Sequence, residues 1–531
     1  MNYEFLLKLV RTEIEKKNFV KAKELLVEAI KINNNSFELI YNLGLVNKYL
    51  GNLEEAIICF KKSIKINSNF PASYSILGSI YAQIGSKDLA LSNYLKAIKI
   101  DSRSFTANYN LANFYLLNED MSNAEKYFNL SIEINPNNIN PYNNLFQLYD
   151  RSNNLEKLEE ILNKAKKVFG LNNFTKFFDG IYNYRKKNFK DSIDIFKNLE
   201  LEKNEISKSV LRANILAKSY DQLKLYEKAF HFYEETNSIL KKTYLNQVNK
   251  DRYLNLIDKR LQFFANNSLK FSKENIEDKN NLVFLIGFPR SGTTLLDTIL
   301  RSHKSIKVLE EKPLIDKIIL ELEKSLKHNF SNLEKLDKNK IAEIQKIYFN
   351  ERDKFIKLEQ NEIFIDKLPL NIIFIAEIIK IFPSAKFIFA LRNPYDAVLS
   401  CFMQPFIPND AMSNFLNLQD TVIFYDSVMK LWSSYKEIIN LNVHIIKYED
   451  VVNNFDTSLK NLLNFLNLKW SEDLRKFYMT ADKKRLINTP SYNQVNQPIY
   501  QDSINRWKNY EDKFSDFKEI LDKWVKYFEY K

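Results

Sequence analysis

The sequence predicts an α + α/β chain in two parts. An all-α solenoid occupies 1–264, a linker 265–281, and a three-layer α/β domain with a central parallel sheet 282–531. Three observations predict this. Small and aromatic residues recur every 34 positions through the first half. The stretch 265–281 is polar and aperiodic. Beyond it, an all-apolar run at 282–286 and the largely apolar runs 385–391 and 442–446 alternate with helical patterns, as buried parallel strands joined by helices do.

The solenoid rests on register. Leu43-Gly44, Leu77-Gly78, Leu111-Ala112 and Leu145-Phe146 are 34 apart, as are Ala22, Ala56, Ala90 and Ala124, followed by Leu158. Phe60, Tyr94, Phe128 and Leu162 form a third register, and Gly51 and Gly85 fall in turns between paired helices. Two amphipathic helices per unit, with small residues where they cross, make the tetratricopeptide pattern. Three full repeats span 33–134, after a partial unit and before a degenerate one at 135–168. Gly180 and Phe196 keep the register through 169–202, and Ala217, Ala229 and Tyr233 resume it three residues late, giving a last unit at 206–240 and a capping helix over 244–264. Such an array buries one continuous core between neighbours. Its concave face reads as a groove for a peptide or protein partner, or the array dimerises or braces the second domain.

Composition sharpens the reading. The 531 residues include 8 glycines, where average usage would give about 37. Only 14 of the 78 basic residues are arginine. Glycine and arginine that survive such a bias mark places where backbone or chemistry needs them. With 45% hydrophobic and 14% aromatic residues the chain can bury a core, which excludes disorder as its class. Two cysteines, Cys59 and Cys401, exclude a disulfide framework, and His231, His303, His328 and His444 are too scattered for a histidine metal site. The net charge of +12 fits lysine-rich solvated faces or attraction for a polyanion, but no basic stripe with interleaved aromatics points to nucleic acid. The longest apolar stretch, 372–390, is broken by Glu377, Lys380 and Lys386, and 1–17 lacks the apolar core of a signal peptide, so a cytoplasmic protein without a membrane span is expected.

The chemistry centres on 282–296, which reads strand, tight loop, helix. Gly287 and Gly292 are five apart, as in the Walker A loop, and such a loop aims backbone N–H groups and a helix N-terminus at a phosphate. Thr293 stands where that motif requires lysine, which disfavours an ordinary nucleotide triphosphatase. The cation is Arg290, inside the loop, suited to bidentate contact with phosphate or sulfate oxygens.

Pro289–Thr294 is similar to the 5′-phosphosulfate loop of the sulfotransferases that use 3′-phosphoadenosine 5′-phosphosulfate. A second motif of that family, an arginine at a strand end with serine eight residues on, is matched by Arg392 and Ser400. Asp366-Lys367-Leu-Pro-Leu-Asn, Tyr448-Glu449-Asp450, and the segment from Thr489 through Ser491 and Gln494 to Arg506-Trp507 resemble the variant joined to tetratricopeptide repeats, and more distantly the tyrosylprotein sulfotransferases. The likeness spans about 282–510.

The resemblance implies roles. Arg290, Ser291, Gly292, Thr293 and Thr294 hold the phosphosulfate. Arg392 and Ser400 grip the 3′-phosphate. Tyr448, Ser491 and Gln494 lie near the adenosine or 3′-phosphate, and Arg506 is a second cation beside the phosphosulfate. Lys367 steadies the bridging oxygen as the sulfonate leaves, and no metal is required. The second glutamate of Glu310-Glu311 is the expected base, with Glu310 and His303 as alternatives. The acceptor is a hydroxyl on a protein or peptide tyrosine, a glycan or a small alcohol. Cys401 is expected in the core, and the charged stretch 313–360 as a solvated helical cap over the acceptor site. Competing readings are a repeat scaffold with an inactive nucleotide fold, and a P-loop kinase.

Overall fold

The computed structural model describes residues 3–266, 281–326, 330–479 and 503–530. Packing groups the chain into two compact units, Met1–Tyr182 and Asn183–Lys531.

The first unit is a run of helical hairpins, among them Phe37–Tyr49 with Leu53–Ile66, and Pro71–Gln83 with Lys87–Ile100. Gly44 and Gly78 are the crossing points. A Cβ at Gly44 would lie 2.9 Å from the Phe60 ring, and one at Gly78 3.0 Å from the Tyr94 ring. Each turn inside a hairpin is closed by one residue in the left-handed region: Lys17, Gly51, Gly85, Glu119 and Asn153, 34 apart. Lys187 continues the series in the second unit, and Lys224 follows with the three-residue shift that Ala217 and Ala229 display in the sequence. A non-glycine residue in that conformation costs about 1–2 kcal/mol. Repeat geometry thus overrides local preference at most of these turns.

The second unit holds five parallel strands: β1 (Leu282–Gly287), β2 (Ile306–Glu310), β3 (Ile363–Lys367), β4 (Lys386–Leu391) and β5 (Val443–Lys447), in the order β2-β3-β1-β4-β5. One face of the sheet buries Val283, Leu285, Ile365 and Ile388 against Ile299 of the helix Thr293–Arg301 and Leu459 and Leu462 of the helix Phe455–Phe465. On the other side Phe284 packs with Phe387, Phe382 and Tyr348, and Phe389 with Trp432. Helices on both faces make the expected three layers.

Two expectations change. The stretch 313–360 is not a solvated cap. Its helices Leu314–Ser325 and Lys338–Arg352 bury Leu314, Ile318, Leu322, Ile344 and Tyr348, and form the crossover that joins parallel β2 to β3. The last helices of the predicted solenoid, Ile206–Gln222, Tyr226–Tyr244 and Arg252–Asn266, belong by packing to the same unit as the sheet. Arg260 of the last one is buried, pairs with Glu377 of the helix Ile375–Ile381, and lies over the rings of Phe330 and Phe374. Among the described residues no helix is long and apolar enough to cross a membrane.

Candidate active site

All five strands point their carboxyl ends at one rim, where ligands of open α/β sheets bind. The central strand β1 ends in Gly287, whose Cβ, if present, would lie 2.5 Å from the Ala390 carbonyl oxygen of β4. The loop then reverses through Arg290, at φ 68°, and Gly292, at φ 85°, into the helix Thr293–Arg301. At Gly292 a Cβ would meet the Tyr448 ring at 2.7 Å, so glycine is required there by both conformation and space.

The strained loop is held from β4 and the helix that follows it, Pro394–Phe402. Arg392, at the end of β4, donates from Nη1 to the Arg290 carbonyl at 3.1 Å. Arg290 donates from Nε to Ser400 Oγ at 3.1 Å. The Cys401 thiol donates to the Pro289 carbonyl at 3.2 Å, and burial pushes that thiol well above its usual range. Cys401 is therefore a core residue that fixes the loop, as its place beside Ser400 predicts. Arg392 also donates from Nη2 to the Ser503 carbonyl at 2.6 Å, and its guanidinium lies 5.1 Å from the Tyr448 ring centroid. Its buried Nε has no hydrogen-bond partner among the described residues. A buried, unpaired guanidinium donor is costly in isolation, and an anion at this rim would satisfy it. Arg290, Arg392, Ser400 and Tyr448 thus converge on the loop, with Ser291 and Thr293 buried and Thr294 half-buried at the helix start.

A second cluster forms at the ends of β2 and β3. Lys367, wholly buried, donates from Nζ to Glu311 Oε1 at 2.8 Å and to Glu310 Oε1 at 3.2 Å. Burial works against its charge, but the carboxylates of Glu311, Asp297 and Glu310 outweigh it and hold the ammonium above its ordinary pKa. Arg301 grips Asp297 through two hydrogen bonds of 2.8 Å and reaches to 3.9 Å from Glu310. Glu311 continues the sheet with its N–H, 2.8 Å from the Lys367 carbonyl, then leaves it at φ 48°. The Glu311 side chain is 41% exposed, against 18% for Glu310 and none for Lys367. Of the three, Glu311 is the most exposed.

Two candidates are used elsewhere. His303 precedes β2, at the amino end of the sheet. Its ring is buried, Nδ1 accepts from the Ser305 N–H at 3.2 Å, and Nε2 lies 3.1 Å from the Lys469 carbonyl. Both nitrogens are thereby spent, so His303 is not a base at this rim. Arg506 donates to Asp221 Oδ2 at 2.9 Å and to the Tyr233 hydroxyl at 3.3 Å. Its guanidinium is directed to the helices Ile206–Gln222 and Tyr226–Tyr244 rather than standing as a second loop cation. Ser491 and Gln494 lie outside the described residues.

The same helices carry residues that sequence reading misses. Asn237 donates from Nδ2 to the Phe402 carbonyl at 2.9 Å, and Asn214 to the Met403 carbonyl at 3.4 Å. Both amides are buried and satisfy carbonyls that the end of the Ser400 helix leaves open. Asp221 binds Arg506 and Tyr510, and Asp396 accepts the N–H groups of Asn505 (2.7 Å) and Trp507 (2.9 Å). Glu449 accepts from the Asn393 N–H at 2.9 Å and from the Tyr530 hydroxyl at 3.1 Å. Buried amides spaced within a helix carry no sequence signal that separates them from solvent-facing ones. The Asp-x-x-x-Ser order after Arg392 is the one hint that Asp396 faces inward.

Comparison with known proteins agrees with both halves. Residues 283–472 match the Sulfotransferase family, and 37–70, 71–104 and 105–138 match the tetratricopeptide repeat. An uncharacterized protein of Aquifex aeolicus (strain VF5) is 25% identical over 316 residues, covering 58% of this chain and 40% of that protein. A protein-tyrosine sulfotransferase of Drosophila melanogaster is 22% identical, covering 43% of this chain and 46% of that one. Protein-tyrosine sulfotransferase 1 of Danio rerio is 24% identical, covering 43% and 65%. The chain therefore spans 40% to 65% of the length of these relatives. Among solved structures, a tetratricopeptide repeat protein from Parabacteroides merdae ATCC 43184 aligns over 45% of this chain and 93% of its own, at 18% identity and a TM-score of 0.34. The chain is thus similar to the tetratricopeptide repeat over 37–138 and to the Sulfotransferase family over 283–472.

Proposed function

We propose that this repeat-bearing sulfotransferase moves a sulfuryl group from 3′-phosphoadenosine 5′-phosphosulfate to an acceptor hydroxyl. The observation that carries the reading is the pair of clusters on one rim: an arginine-held anion loop on β1 and β4, and a buried lysine beside an exposed glutamate on β2 and β3. The nucleotide supplies the activated sulfuryl group and departs as the bisphosphate. The residues present fit it. Arg290, the N–H groups and hydroxyls at Ser291–Thr294, and the cradle that Gly292 keeps open suit the phosphosulfate, while Arg392 and Ser400 suit the 3′-phosphate.

Arg290 and the loop N–H groups hold the non-bridging oxygens, and preorganised donors of this kind supply the largest share of such catalysis. Glu311 accepts the proton of the acceptor hydroxyl as its oxygen bonds sulfur. Lys367 donates from Nζ to the phosphate oxygen released when the bridging S–O bond breaks. The ammonium suits that task because the surrounding carboxylates keep it protonated. Tyr448 backs the loop and shields Arg392.

The repeats, on this reading, present a protein or peptide partner. The test is transfer of a labelled sulfuryl group from 3′-phosphoadenosine 5′-phosphosulfate into an extract, followed by fractionation. Label in a product that vanishes with Glu311→Gln supports the reading. Equal labelling by wild type and by a Lys367→Met, Glu311→Gln double variant contradicts it.

A further inference from the structure

The same unit holds a cleft of about 560 Å³. Three segments that leave the carboxyl ends of strands build it. Asp316 and Leu320 lie on the helix Leu314–Ser325 after β2, Phe374 closes the 3-10 segment Pro369–Phe374 after β3, and Asp410 follows the Ser400 helix after β4. The fourth wall is the helix Arg252–Asn266, through Arg252 and Tyr253. Asp316 comes five residues after Glu311, in the first turn of the helix that leaves β2. The size suits a small molecule or one or two side chains.

Its charge sets it apart from the rest of the chain. Arg252 is spent on Asp410, 3.0 Å from Oδ2, and the Asn249 N–H also donates to Asp410 at 2.8 Å. That bond and Arg252 keep the Asp410 carboxyl below its usual range. Asp316 forms no salt bridge among the described residues; burial pushes its carboxyl up, and the charge of Arg252 opposes the rise. Two carboxylates and one guanidinium leave the cleft acidic on a chain of net charge +12. Tyr253 and Phe374 add aromatic surface, and Leu320, 54% exposed, adds an apolar lip. A half-buried carboxylate beside aromatic rings attracts an ammonium through both charge and ring quadrupoles, and repels an acidic acceptor.

We propose that this cleft is the acceptor pocket, and that it selects a hydroxyl compound bearing a protonated amine beside an aromatic or apolar body. This rests on the sulfotransfer reading above, and Asp316 is its specificity-determining residue. The ammonium pairs with Asp316 while the hydroxyl extends toward Glu311.

The test is calorimetry on the full chain loaded with adenosine 3′,5′-bisphosphate. The probes are tyramine, a capped Arg-Tyr dipeptide and 4-hydroxyphenylacetate. Tyramine is expected to bind about tenfold more tightly than 4-hydroxyphenylacetate. Asp316→Asn should erase most of that preference without changing bisphosphate affinity. Leu320→Lys, at an exposed position that leaves the fold intact, should weaken tyramine and strengthen the carboxylate. Tyramine binding with no dipeptide binding identifies a free amine as the source of the chemistry, and dipeptide binding at least as tight identifies a basic peptide; both support the proposal. Equal or absent binding of the charged phenols to bisphosphate-loaded protein overturns the cleft assignment and leaves sulfotransfer standing. Failure to bind bisphosphate at all overturns the parent reading instead.

Discussion

Two helical hairpins built to the same plan are put to different uses. In Pro71–Gln83 with Lys87–Ile100, Gly78 lies against Tyr94, Ala90 is buried, and the Asn93 amide bonds within its own helix, to the Leu89 carbonyl. In Ile206–Gln222 with Tyr226–Tyr244, Ala217 and Ala229 mark the crossing in the same way. There, however, Asn214 and Asn237 send their amides outward to the end of the Ser400 helix, and Asp221 takes Arg506. The small residues make the hairpin. The direction of its buried polar groups decides what the hairpin holds. One hairpin stacks with its own kind, and the other is part of the scaffold of the anion loop.

The rim should break first. Lys367→Met removes the buried donor and is expected to lower turnover about 10²–10³-fold with little change in bisphosphate affinity, read from initial rates and calorimetry. Glu311→Gln should cost about 10²-fold across pH 6–9, since a missing base cannot be restored by raising pH. Full activity of Glu311→Gln would remove Glu311 as the base.

Asp366 gives the next largest effect, on stability. Burial pushes its carboxyl up to about 7, with Asp316 adding to the rise and the bond from the Tyr348 hydroxyl, 2.8 Å, opposing it. In the unfolded chain it titrates near the ordinary value of about 3.9. Between those values the unfolded chain has given up the proton and the folded one keeps it. Its contribution is therefore most favourable below about pH 4 and declines as pH rises to about 7, by up to about 4 kcal/mol. Asp366→Asn should remove this decline, seen as a smaller loss of urea stability between about pH 5 and about pH 8 than in wild type. An unchanged pH dependence would mean Asp366 is ionised in the folded state.

Matched substitutions then test the two hairpins. Asn237→Ala leaves the Phe402 carbonyl unpaired, at about 1–2 kcal/mol, and should weaken bisphosphate binding through the Ser400 helix. Gly78→Val overpacks against Tyr94 at about 1–3 kcal/mol, and should leave bisphosphate binding as it is. If both variants bind bisphosphate alike, the last hairpin is not part of the loop's support.

Much of this was legible beforehand, for physical reasons. β1, β4 and β5 show as apolar runs, and the repeat turns show through the spacing of small residues. β3 does not, because Ile-Phe-Ile-Asp-Lys ends in two charged residues that the fold buries. β2 is an edge strand whose Lys307 is half-buried and pairs with Glu362, so its pattern reads as surface. The crossover helices hid behind their charged faces, although parallel β2 and β3 demand a connection of that kind. Arg290, Arg392 and Ser400 were readable because arginine is scarce here and their spacing is distinctive. The spent roles of His303 and Arg506 depend on carbonyl and carboxylate partners 166 and 285 residues away, which no local pattern announces.

The β1 loop and the Arg392–Ser400 pair are expected to form a site for a 3′-phosphorylated adenine nucleotide. Calorimetry of the full chain with adenosine 3′,5′-bisphosphate, and with ATP as control, tests it most directly. The bisphosphate should bind more tightly than ATP, and Arg392→Ala should weaken it by about 2–4 kcal/mol. Tighter binding of ATP, or bisphosphate affinity indifferent to Arg392, would contradict it.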